Sequence, residues 1–240
     1  MKRIYIPSSS PLDWKPLLSQ PERHWKAGFS AMTLARSWEA AGDDLPGEIA
    51  TIVHATPHPV FAEARLLVAI PDYCVPLSSV TRATQTDLFA LVRGRGGLGV
   101  LAVEGKVDEE PGPTVRGKRQ DGAGDRVADL HDLLGLSAGD IAGLRHQLVY
   151  RAAAAVLLAN EFCATAAAMI VHSFSPTSVG YSAFEVLVRA MGGQPSQQGL
   201  VNVGERSGVA LHLGWVPGEQ RFREPMERAA LTSELTTNRL

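Results

Sequence analysis

The clearest pattern in the chain lies in its second half. Ile141, Leu144, Leu148, Ala152, Ala155 and Ala159 recur at spacings of three and four, the signature of an amphipathic helix. Ser137 supplies an N-cap with Asp140 in the first turn, so one long helix is expected from Ser137 to about Cys163. Met32, Ala35 and Trp38 mark an earlier helix stopped at Gly42, with Pro21 and Trp25 leading into it. Pro46 opens a short helix within Leu45 to Val53, and further helices are expected over Val127 to Leu136 and Phe184 to Met191, the last ended by Gly192-Gly193.

Continuous apolar runs give the strands. Arg65 to Ile70 reads as a buried strand closed by Pro71-Asp72, and Ala166 to Phe174 and Val209 to Val216 read the same way. Asp87 to Arg93 and Leu98 to Val107 are β-like runs separated by Gly94-Arg95-Gly96-Gly97, a hairpin turn. Gly204 and Gly208 are expected to be turn residues. From Asp108 to Asp125 there is no periodicity, and a charged, Pro- and Gly-rich loop is expected. Helices, strand, hairpin, long helix, strand, helix and strand in that order give an α/β sandwich around a mixed sheet. No repeat or linker divides it. A single domain over 1–216, including an N-terminal helical extension, is expected, with a peripheral tail over 217–240 carrying four Arg and four Glu.

Composition narrows the classes. In 240 residues, 45% hydrophobic and 20% charged, Lys+Arg 23 against Asp+Glu 25 leave a net charge of −2. That is globular, and it carries no global basic footprint for nucleic acid. The apolar run Ala152 to Ala159 is far short of a membrane span, and Met1-Lys2-Arg3 is followed by no h-region, so a cytoplasmic protein without membrane partners is expected. Cys74 and Cys163 are too few for a disulfide framework or a zinc cage, and two buried free thiols are expected, with one structural disulfide as the alternative.

The hairpin carries the candidate chemistry. If Arg93 faces Leu98 across the glycine turn, Asp87 lies opposite Glu104, and strand alternation puts Lys106 on the same face. Two carboxylates and an ammonium on apolar strands are costly unless paired or metal-bound. Facing carboxylates repel unless a cation stands between them, and a hard divalent ion such as Mg²⁺ meets that need. A lysine beside it would orient or help deprotonate a water on the metal, the parts required for metal-assisted phosphodiester hydrolysis.

Thr86-Asp87-Leu88-Phe89-Ala90-Leu91, the glycine turn and Ala102-Val103-Glu104-Gly105-Lys106-Val107 resemble the PD-(D/E)xK nuclease-like superfamily. The resemblance implies a restriction-endonuclease-like core, a mixed central sheet flanked by helices. It implies Asp87, Glu104 and the Gly105 carbonyl as ligands of Mg²⁺ or Mn²⁺, and Lys106 as the water-activating residue. Nucleic acid is the implied partner, and self-association into a homodimer stays open. The alternative is a catalytically silent binding or regulatory module on the same fold. The chain also resembles uncharacterised bacterial proteins that share its Val-Glu-Gly-Lys-Val, Leu-Arg-His-Gln-Leu and Val-His-Ser-Phe stretches.

The departures matter. Thr86 replaces the motif's proline, and a literal Pro-Asp at Pro71-Asp72 makes Asp72 a rival ligand. Glu39 is a candidate for the first-helix Glu found near the metal in such proteins. Gln147 is similar to the Q-x-x-x-Y element of RecB-like members, with Arg151 at the tyrosine's spacing and Tyr150 one residue early. At about 100° per residue Gln147 and Arg151 share a helix flank.

Other signals are weaker. His172-Ser173 with Ser175 lacks a nucleophile elbow, though His172 at a strand end is a candidate to line the cleft. His24, His54 and His58 lack zinc spacing. The loop residues Arg116, Lys118, Arg119 and Arg126 outnumber Asp121 and Asp125, and a basic loop beside a metal site would suit phosphates.

Overall fold

The glycine turn organises the sheet. In the computed structural model, which describes residues 4–76, 83–118 and 126–224, Arg93 faces Leu98 as the turn requires. The chain opens with a 3-10 helix (Pro11–Leu17), then α1 (Pro21–His24), α2 (Ser30–Ala41) and α3 (Gly47–Ala55). A meander follows, β1 (Arg65–Val75), β2 (Thr84–Gly94) and β3 (Gly97–Lys106). The crossover comprises α4 (Val115–Lys118), α5 (Arg126–Leu134), α6 (Ala138–Gly143) and α7 (His146–Glu161). Then come β4 (Ala166–Ser173), α8 (Tyr181–Ala190), β5 (Val201–Arg206) and β6 (Val209–Pro217).

The six strands form one mixed sheet in the order β1-β2-β3-β4-β6-β5. Neighbours β1, β2 and β3 are antiparallel, β3-β4-β6 are parallel, and β5 is antiparallel to β6. Helices cover both faces, which makes this an α/β fold. Phe89, Val100, Ala102, Met169 and Leu213 pack under α5 to α8. Leu88, Ala90, Leu101, Val103 and Ile170 pack under α2 and α3. Strand β4 is buried along its whole length, which is why it reads as an unbroken apolar run rather than an alternating one. Ala167, Met169 and Val171 of β4 pack on the α7 side, and Ala166, Ala168 and Ile170 on the α2/α3 side.

Several elements depart from the sequence expectation. Strand β1 runs past Pro71-Asp72 to Val75. It is an edge strand, one of the few settings in which a proline without an N–H is tolerated inside a sheet. The expected long helix is two helices. Leu144 and Arg145 are extended because the chain after β3 pairs with them: Val115 donates to the Leu144 carbonyl at 2.9 Å and His146 to that of Pro113 at 3.0 Å. Spacings of three and four cannot distinguish one helix from two sharing a buried face. The expected loop after β3 therefore contains α4, while Arg119, Asp121 and Asp125 lie outside the described residues.

Strand β5, polar at Asn202 and Glu205, was not expected. The start of the tail is tied down, with Arg36 donating to the carbonyls of Phe222 and Glu224. Both cysteines are free, but Cys74 is half-buried and Cys163 exposed, so the expectation of two buried thiols is corrected.

The hairpin tip needs its glycines for close approach. A Cβ on Gly94 would lie 2.1 Å from the Val60 carbonyl oxygen. Arg95 and Gly96 donate backbone bonds to Ala62 and Pro59 in the same segment. Gly94→Ala is expected to destabilise the protein by about 1–3 kcal/mol through this overlap, read as a lower urea midpoint at unchanged slope. An unchanged midpoint would show that the Pro59–Ala62 segment moves aside freely.

Candidate functional site

The site forms where β2 and β3 separate. Ladder pairing reaches Leu88 and Val103. Beyond it side chains replace the ladder: the Thr86 hydroxyl donates to the Val103 carbonyl at 3.1 Å, and the Gly105 N–H to Asp87 Oδ2 at 2.9 Å. Asp87, Glu104 and Lys106 share the α7 face, because Phe89, Val100 and Ala102 of the same parity pack there. Gly105 faces the other way, against Leu34 of α2. Its backbone N–H is committed to Asp87, and its carbonyl is the group left to the ligand role the resemblance implies.

Helix α7 supplies the partners. Its break from α6 places Gln147 and Arg151 in its first two turns, above the end of β3. Lys106 Nζ donates to Glu104 Oε1 at 2.8 Å and to Gln147 Oε1 at 3.0 Å. Arg151 Nε donates to Glu104 Oε2, Nη1 to the Thr84 hydroxyl at 2.8 Å, and Nη2 lies 3.7 Å from Asp87 Oδ1. Glu104 is 1% exposed, Lys106 3% and Arg151 8%. Lys106 and Arg151 thus put two positive charges of the chain itself against these carboxylates.

The electrostatics follow from this packing. Burial pushes the Asp87 carboxyl up to about 7, helped by the charge of Glu104 and opposed by Arg151 and Lys106. Burial acts the same way on Glu104, but Arg151 and Lys106 outweigh it and hold that carboxyl below its usual range. Burial alone would lower Lys106, yet Glu104 and Asp87 raise it, so the residue is an ammonium. Arg151 is likewise raised by Glu104 and Asp87 against its own burial.

Asp72 belongs to the same site. The register that pairs Pro71 with Leu88 and Tyr73 with Thr86 brings it beside Asp87, at a left-handed φ of 51°. It accepts from Gln85 Nε2 at 2.9 Å, and burial raises its carboxyl to about 6. The two rival aspartates are thus neighbours, and Asp87 is the one that accepts from the β3 motif, at Gly105.

These groups open into a cleft of about 700 Å³ whose other wall is the N-terminal extension, including Trp14, His24, Trp25 and Phe29. Further acids at its mouth are matched by cations: Asp108 by Arg223, and Glu110 by Arg145 at 3.6 Å. The extension's place here escaped sequence reading because residues 4–29 show no period; clustered Trp14, Trp25 and Phe29 were the available signal.

Other candidates lie elsewhere. Glu39 accepts from the Trp14 indole N–H and the Ser8 hydroxyl, each at 2.6 Å, and holds the wall rather than the centre. His172 points to the α2/α3 face, fully buried and bonded to Glu48 at 2.9 Å, which corrects its expected place in the cleft. Ser175 donates to Asp108 at 3.2 Å. His54 bonds the Ala64 carbonyl, and His58 packs on His212. The side chains of Lys118 and Arg126 are outside the described set.

Two hard carboxylates, Asp87 and Glu104, are the right donor chemistry for Mg²⁺ or Mn²⁺. Among the described residues no three His, Cys, Asp or Glu side chains group closely enough to hold a metal by themselves. A metal would complete its sphere with water or substrate oxygens, as Mg²⁺ ordinarily does.

Fold and site together define an α/β protein in which buried Glu104, Lys106 and Arg151 meet the half-buried Asp87 at an aromatic-lined cleft. The chain belongs to the family described as Domain of unknown function (DUF6946), whose model matches residues 7–220. No curated protein and no solved structure matches it. Among the described residues no helix is long and apolar enough to cross a membrane.

Proposed function

We propose that the chain is a divalent-metal-dependent phosphodiester hydrolase acting on nucleic acid, with a restriction-endonuclease-like core. The observation that carries this is the convergence of Asp87, Glu104, Lys106 and Gln147 at one cleft, from three separate elements. The mixed sheet supports the core assignment, with an Asp near the start of β2 and Glu-x-Lys closing the adjacent β3.

Asp87 and Glu104 would hold the metal, which supplies charge stabilisation and Lewis-acid polarisation at the phosphoryl group. Lys106, protonated through Glu104 and Asp87, acts as a donor: it orients a water or a phosphate oxygen and accepts no proton. Gln147 holds its ammonium toward the cleft. Arg151 is the cation available to a phosphate once the carboxylates have another partner.

Metal binding is read by calorimetry on wild type and Asp87→Ala, and cleavage on end-labelled DNA and RNA with Mg²⁺ or Mn²⁺. Lys106→Ala is expected to lower cleavage by about 10²–10³, and Asp87→Ala to lose the metal. Absence of metal-dependent cleavage by the wild type would sink the reading. A non-catalytic binding module is then the better description. One observation favours it: Lys106 and Arg151 already occupy both oxygens of Glu104.

A further inference from the structure

The N-terminal extension brings Trp14, Trp25 and Phe29 to the cleft; Trp14 is part of the core and Trp25 packs against it, while Phe29 is left open. Phe29 is 46% exposed although it immediately precedes α2, whose apolar face is buried. Trp25 is half-buried against the α2/α3 core, its indole N–H itself buried and without a hydrogen-bond partner among the described residues. Two cations belong to the same segment. Lys26 Nζ lies 5.8 Å from the Phe29 ring centre, and the exposed Arg23, which also lines the cleft, donates to Gln20 at 3.5 Å. The wall is also held in place, since Glu39 locks Trp14 behind it.

We propose that this wall is a base-stacking platform and that the cleft takes an unpaired nucleotide, a single-stranded segment or an extruded base, rather than a stacked duplex. The inference rests on nucleic acid being the substrate and names the form in which it enters. The π-faces of Trp25 and Phe29 can be covered by a base only if that base has left its own stack. A volume of about 700 Å³ lies within the roughly 300–1,000 Å³ of small-ligand sites, large enough for a nucleotide unit. With the base on Trp25 and Phe29, the adjoining phosphate is directed to the Lys106–Arg151 end. The outer phosphates meet Arg23 and Lys26. Stacking tolerates any base, so little sequence preference is expected.

The test uses the full chain in EDTA, so that binding is separated from cleavage. Fluorescein-labelled single-stranded oligo-dT, single-stranded oligo-U and a hairpin-closed DNA duplex are compared by anisotropy. Single strands should bind about tenfold or more tightly than the duplex. Phe29→Ala should weaken single-strand binding by about tenfold, with Phe29→Trp retaining it. A thermal melt confirms that each variant is folded, which the exposure of Phe29 favours. Duplex binding equal to or tighter than single-strand binding, or single-strand binding indifferent to Phe29→Ala, overturns the platform. Metal-dependent cleavage of the duplex in the first case would leave the hydrolase reading standing alone. Single-strand binding as described without cleavage in Mg²⁺ or Mn²⁺ would support the platform and remove the hydrolase. A wild type that binds no probe overturns the platform, and the hydrolase reading then stands or falls on metal-dependent cleavage alone.

Discussion

Glu104→Ala is expected to lower the unfolding free energy by about 3–5 kcal/mol, the usual consequence of removing one partner from a buried ion pair. Here one carboxylate answers two cations. Lys106 Nζ and Arg151 Nε both terminate on it, and neither side chain is more than a tenth exposed. With Glu104 gone, Lys106 keeps only the neutral Gln147 oxygen. Arg151 keeps the Thr84 hydroxyl and a 3.7 Å approach to Asp87. Glu104→Gln should cost less, because one amide oxygen still accepts a bond while its NH₂ faces a cation. Urea unfolding in EDTA reads both variants. A loss below about 1 kcal/mol for Glu104→Ala would show that the cations find solvent or another anion, and that the centre is not closed as described.

The second large effect concerns pH. Asp87, pushed up to about 7, and Asp72, to about 6, hold protons when folded that the unfolded chain releases near 3.8. For a carboxyl with a raised folded value the sign is fixed: its contribution is most favourable below the unfolded value and is lost as pH rises toward the folded one. His212, lowered to about 4 by burial, and His172, also lowered by burial, act in the opposite direction as pH rises toward their ordinary 6.5. The wild-type profile therefore mixes both, and the difference between variants isolates the carboxyl. In EDTA, Asp87→Asn should gain stability relative to wild type between pH 5 and 7, by about 1–2 kcal/mol, and hold it above. Paired denaturation curves at several pH values check this. A flat difference would mean that Asp87 is ionised throughout and already neutralised by Arg151.

The centre was legible to a definite depth. Glycine turn chemistry and strand alternation placed Asp87, Glu104 and Lys106 on one face, and helical periodicity placed Gln147 with Arg151 on one flank. What those rules do not contain is partner choice. Alternation says which face Glu104 occupies, and only packing brings Arg151 onto its carboxylate. The break at Leu144-Arg145 was invisible because its cause is distant in sequence, in the backbone from Pro113 to Val115, where Thr114 bridges to Arg145. Asp72 was visible as a rival only, since a left-handed residue inside a strand breaks the alternation used to place it. The aromatic wall had no period to betray it.

Strand β1 is one lateral border of the sheet, and it exposes Leu67 and Val68. Such a border ordinarily recruits a strand from another molecule and seeds aggregation. Here a bulge falls between Leu66 and Val68, Pro71 has no N–H to offer, and Asp72 turns the backbone left-handed. An incoming strand would lose its register within a few residues. The irregularity at Asp72 that sets a third carboxyl beside Asp87 also spoils this border as a template for strand pairing.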